Sequence, residues 1–171
     1  MSAGPGAAGR AGARREWHAA DWGPLGWAET ALKGAGAIVG VGALVAAGVA
    51  GLGDGPEGAR LAQVVLLGLL SLGLVAGIAD RVVERETVAM AFILVMNAGH
   101  WSMAVALAGS SGVGEALLAF AGLMLAGDLV KLAFIARSGF RVRDLPRRTL
   151  VGLTAAYAIG YAALITIELA A

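Results

Sequence analysis

The chain of 171 residues contains no cysteine. That excludes disulfides, thiolate metal sites, iron–sulfur clusters and cysteine nucleophiles, and leaves the redox compartment open. Histidine is nearly as scarce. With only His18 and His100, one chain cannot build a multi-histidine metal centre, and no metal site is expected. Charged residues make up 15% of the sequence, against about 25% in ordinary soluble domains. The net charge of +1 is far below what a nucleic-acid-binding surface needs, so no nucleic-acid partner is expected. Phosphate-binding loops, HExxH, GxSxG and kinase-type patterns are also missing, and no paired carboxylates mark an evident pocket. On these grounds the chain is not expected to be an enzyme.

What the sequence does have is hydrocarbon. Hydrophobic residues reach 58%, against about 45–50% in soluble domains, and the mean hydropathy is +0.79. The apolar residues fall in long blocks separated by short charged ones, as in a polytopic membrane protein. Lysine occurs only at 33 and 131, while Ala, Gly, Val, Leu and Arg abound. That is the composition of a GC-rich bacterial genome, and the expected location is a bacterial plasma (inner) membrane.

Five segments satisfy the requirement of about 20 mostly apolar residues for a membrane helix. They cover 34–53, 61–79, 87–109, 113–136 and 149–170. They lack the period-two alternation of barrel strands, and an isolated run in lipid can satisfy its backbone only as a helix. The predicted fold is therefore an all-α bundle of five transmembrane helices. Residues 1–15, MSAGPGAAGRAGARR, read as a disordered basic tail. Residues 16–33 carry Trp17, Trp22 and Trp27 and read as a juxtamembrane segment with a short interfacial helix. No cleavage pattern follows the early arginines, so the first apolar segment is expected to be retained. For the glycine-rich 34–53 segment, a re-entrant or interfacial course is the alternative.

Positive charge orients the bundle. Arg10, Arg14, Arg15, Lys33, Arg81, Arg85, Arg137, Arg141, Arg143, Arg147 and Arg148 fall on one side, and only Arg60 on the other. The N-terminus is expected in the cytoplasm and the C-terminus outside. Arg137, Arg141, Arg143, Arg147 and Arg148, in the loop after the fourth span, are expected to rest on lipid headgroups. Small residues at four-residue spacing, Gly36 and Gly40, Ala98–Ser102–Ala106, and Gly152–Ala156–Gly160, fit close helix packing. Beyond the lipid bilayer, partners expected from this pattern are a second copy of the chain or the subunits of a membrane complex.

Polar groups inside the spans are the candidate site. In GDLVK, Asp128 and Lys131 sit three apart on one helix face and can pair, or Asp128 can find its partner on another helix. A proton- or cation-handling site is the alternative to such an ion pair. Each charge costs about 2.5–3.5 kcal/mol at a bilayer centre, against about −0.3 to −0.6 for each Leu, Ile, Phe or Val. Asn97, His100 and Trp101 lie in the third span at i, i+3, i+4, followed by Ser102. An intramembrane imidazole can hydrogen-bond between helices, relay protons, or touch a cofactor such as haem or quinone. Tyr157 and Tyr161 of the fifth span are the available bonding partners, or else packing aromatics. No cofactor is required by the sequence. Two functions compete: a small transport or permeation protein or accessory subunit of a membrane complex, and a membrane anchor of a redox complex that meets quinone or haem through His100.

Overall fold

Inside an apolar run the backbone has no water to bond, so its N–H and C=O groups must satisfy each other within the segment. The computed structural model describes residues 23–51, 53, 55–84, 87–138 and 146–171. Among them are five long helices: α1 (Pro24–Ala50), α2 (Ala59–Glu84), α3 (Thr87–Gly109), α4 (Gly114–Ser138) and α5 (Arg147–Ala170). Each is long and apolar enough to cross a membrane, and no strand occurs among the described residues. The tail 1–15, Trp17, Trp22, Arg141 and Arg143 lie outside them.

Local sequence sets the helix ends. Gly23 is extended and Pro24 opens α1, where its missing N–H costs nothing. At the other end Gly51 turns at φ +91°, and Gly55 and Gly58 follow at φ +101° and +53°, values an L side chain rarely adopts. Gly53 in this turn donates its N–H to Gly109 O at 2.6 Å, tying it to the end of α3. Between α3 and α4 the chain makes a single 3₁₀ turn, Ser111–Val113, where the Ser110 hydroxyl accepts from Gly112 N–H. The first span differs from the sequence-based bounds. The helix begins at Pro24, so residues 24–33 continue into the apolar run without a break.

The helices form a closed ring. α1 packs on α3 and α4, α3 on α2, α2 on α5, and α5 on α4. The order around the ring is thus α1, α3, α2, α5, α4. Leu67, Met103, Leu107, Leu117, Phe120, Met124, Tyr161 and Leu164 fill its interior. Its outer surface is apolar as well, with Ile38, Val45, Val49, Leu69, Ile159 and Leu169 exposed. Helices that are hydrophobic all round belong in a hydrocarbon solvent.

Close approach depends on a few small residues. A Cβ on Gly40 would overlap the carbonyl oxygen of Gly99, and one on Gly99 would overlap the Ala37 backbone. Gly36, four residues before Gly40, faces Met124 of α4 instead. One GxxxG pair thus serves two neighbours. The other small-residue stripes behave differently from a single packing seam. Ala98 and Ala156 are exposed, Gly152 has nothing near it, and Gly160 packs on Leu70. On α3 the residue that allows close packing is Gly99, set between Ala98 and His100.

Candidate functional site

Two separate polar clusters lie inside the ring. The first joins α1 to α4 and is built from charge. Lys33 projects from the buried seam of α1, which also holds Gly26, Gly36, Ala37, Gly40, Ala43 and Ala47. Its Nζ is 2.6 Å from Asp128 Oδ1 and 2.8 Å from Glu29 Oε1. Glu29 precedes Lys33 by one helical turn, the favourable order for an i, i+4 pair. Lys131, one turn beyond Asp128, reaches the same Glu29 oxygen at 3.4 Å. The Lys33 side chain crosses to α4 over Gly127, where a Cβ would stand 2.6 Å from Lys33 Cγ. The glycine next to Asp128 therefore opens the slot that the lysine stem occupies.

The cluster balances two carboxylates with two ammonium groups. Removing charges from water is offset only if each finds a partner, and Lys33 is close to fully satisfied. Asp128 is not. Its Oδ1 takes Lys33, whereas Oδ2 is buried with no hydrogen-bond partner. Side-chain exposure falls along the cluster, from 27% at Lys131 and 13% at Glu29 to 5% at Lys33 and 4% at Asp128. The charges form a graded chain from the basic end of the bundle to its interior.

These contacts decide between the pairings that spacing leaves open. Asp128 and Lys131 share a helix face, but each turns to α1: Asp128 to Lys33, Lys131 to Glu29. Lys33, read as a charge flanking the first span, is a buried member of the cluster. Glu29 was not singled out at all. The signal for both was present, since Glu29 and Lys33 are one turn apart and Lys33 continues the small-residue seam of α1 by helical spacing.

The second cluster joins α2, α3 and α5 and is neutral. His100 is fully buried. Its Nδ1 is 2.7 Å from Met96 O and its Nε2 is 2.8 Å from Tyr161 Oη. A backbone carbonyl can only accept, so Nδ1 carries the proton and, in the neutral ring, Nε2 accepts from the tyrosine hydroxyl. Phe120 meets the imidazole edge-to-face, with ring centroids 5.1 Å apart. Tyr157 donates to Leu70 O at 2.8 Å. Next to Leu70, Ser71 donates to Asn97 Oδ1 at 2.5 Å, and Asn97 Nδ2 bonds back to Ile93 O at 3.4 Å.

Of the two tyrosines, Tyr161 is thus the hydrogen-bond partner of His100, whereas Tyr157 bonds the Leu70 carbonyl instead. Trp101 is not part of this cluster. It follows His100 by one residue, about 100° around the helix, and half of it is exposed on the outer surface. Ser102 is half-buried. Arg137, Arg147 and Arg148 are exposed at the basic end, and Arg147 also donates to Ala136 O at 2.9 Å, closing the α4–α5 connection. Among the described residues no group of three or more His, Asp or Glu could hold a metal ion.

A third polar contact lies at the opposite end. Gln63, fully buried, donates to Glu168 Oε2 at 2.8 Å, and Arg60 donates to Ser111 O at 2.7 Å. Glu168 thus ties α5 to α2. Comparison of the chain with protein-family models, with curated proteins and with solved structures finds no match, so the geometry alone carries the functional reading.

Proposed function

We propose that the chain is a small multi-pass transport or permeation protein of a bacterial inner membrane. Its N-terminus lies in the cytoplasm and its C-terminus outside, and its working part is the cluster Glu29–Lys33–Asp128–Lys131. One observation carries the reading. Asp128, buried within the bundle, holds Lys33 with one carboxylate oxygen and leaves the other unpartnered, at the inner end of a chain of charges that leads to the basic end. Charges kept inside a membrane domain are costly and commonly mark ion or proton pathways. The chain as an accessory subunit of a larger complex is compatible with the same bundle.

The redox-anchor reading is less well supported. Axial haem ligation needs a free lone pair on a ring nitrogen, and both nitrogens of His100 are engaged, by Met96 O and Tyr161 Oη. The purified protein is accordingly expected to be colourless. A Soret band abolished by His100→Ala would reverse the order of the two readings. The transport reading is tested with the purified chain in liposomes holding a pH-sensitive dye. The chain should dissipate an imposed proton or cation gradient faster than empty vesicles, and Asp128→Asn should abolish the difference. Vesicles no leakier than controls would refute the transport reading.

A further inference from the structure

We infer that Asp128 is the head of a binding site for primary ammonium cations, which Lys33 occupies as a tethered competitor, and that such a cation enters in exchange for the Lys33 proton. The inference builds on the transport reading but is tested separately from it. The site has the shape of its present occupant. A carboxylate and a second acidic oxygen hold the Lys33 ammonium at 2.6 and 2.8 Å, and an aliphatic stem fills the slot opened by Gly127. Asp128 Oδ2, buried and without a partner, is acceptor capacity that Lys33 leaves unused. An ammonium group with three N–H donors needs only two or three acceptors. A desolvated metal ion needs more oxygen ligands, and the described residues group no three metal-type side chains here.

Charge decides how the cation enters. The titratable groups around the site are Glu29 on α1, Asp128 and Lys131 on α4, His100 on α3, and Tyr157 and Tyr161 on α5. With both carboxylates ionised, both lysines charged and the imidazole neutral, the site has no net charge. One further cation would leave a buried excess of one charge, which a low-dielectric interior opposes. Loss of a proton from Lys33 removes the excess. One N–H bond of the Lys33 ammonium breaks, its electron pair stays on nitrogen, and the proton leaves for the aqueous phase along the increasingly exposed line of Glu29 and Lys131. The incoming R–NH₃⁺ then pairs with Asp128. The exchange is one cation for one proton, with no net charge moved into the site.

The test is thermal unfolding of the purified chain in detergent, titrated with methylammonium, butylammonium, tetramethylammonium, sodium and potassium chlorides over neutral to mildly alkaline pH. Methylammonium and butylammonium should stabilise the protein. Tetramethylammonium, which has no N–H, and the two metal ions should not. Because binding releases one proton, the apparent affinity should rise about tenfold per pH unit. Lys33→Gln removes the competitor and its proton, so binding should persist and lose that pH dependence. Asp128→Asn should abolish binding. If Asp128→Asn does not fold, the Lys33→Gln pH profile alone is sufficient to decide. Equal stabilisation by sodium or potassium, pH-independent binding in the unaltered protein, or pH dependence unchanged in Lys33→Gln would overturn the inference. Inactive liposomes together with an ammonium-specific shift would refute transport and leave the site standing. Active liposomes without that shift would do the reverse.

Discussion

The two polar clusters inside the ring solve the same problem in opposite ways. Between α1 and α4 the bundle buries charge: Glu29, Lys33, Asp128 and Lys131. Among α2, α3 and α5 it buries neutral groups: Ser71, Asn97, His100, Tyr157 and Tyr161. The neutral cluster is closed. Every donor named in it meets an acceptor one helix away or one turn back, and His100 is cut off from the surface. The charged cluster is open at both levels, with an orphaned oxygen on Asp128 and a side chain, Lys131, that reaches toward the exterior. Saturated hydrogen bonding suits cohesion, whereas an unfilled acceptor at the end of a charged line suits a group that changes partners. The histidine is the conspicuous residue, yet the lysine and aspartate have the chemistry left to use.

The strongest way to break this contrast is Lys33→Met. It leaves Asp128 buried without its cation and Glu29 with Lys131 alone, and removing one member of a buried ion pair costs about 3–5 kcal/mol. Unfolding in mixed detergent should show a loss of that size. The double variant Lys33→Met/Asp128→Asn should recover much of it, because the uncompensated charge is gone. If Lys33→Met were as stable as the unaltered chain, the cluster would not be the paired unit described. Next in size is Tyr161→Phe, which removes the donor to His100 Nε2. Hydrogen bonds between membrane helices average about 0.6 kcal/mol and reach at most about 1.7. The same unfolding assay should therefore show a clearly smaller loss, with cation flux retained. A loss as large as that of Lys33→Met would erase the distinction between the clusters. The smallest effect belongs to Trp101→Ala. Its side chain faces outward, so the change should stay within about 0.5 kcal/mol and leave His100 in place, as read from the imidazole NMR signals.

Much of the fold was legible because its cause is local. Five apolar runs bounded by charges mark five helices wherever water is absent, whatever each helix packs against. Asp128 and His100 could be singled out for the same reason, as polar residues surrounded by apolar ones. Lys33 could not be found this way. It stands at the edge of its run, where an interfacial lysine and a buried one have the same neighbours in sequence. Only the seam of Gly36, Ala37 and Gly40 indicates that its face turns inward. Trp101 failed for a related reason. Its i, i+4 relation to Asn97 suggests one face, but a buried strip that includes both Asn97 and His100 leaves Trp101 at its edge.

The sequence by itself determined the five membrane-spanning helices of the described residues and the presence of charge within them, because each follows from the local cost of exposing backbone or charge to hydrocarbon. The start of α1 at Pro24, well before its apolar run, was not among them. Only the tertiary structure decided which charges meet. Glu29, Lys33, Asp128 and Lys131 admit several pairings at helical spacing. The one adopted depends on α1 lying against α4 with Gly127 facing the lysine stem, a contact between residues almost a hundred positions apart that no local pattern specifies.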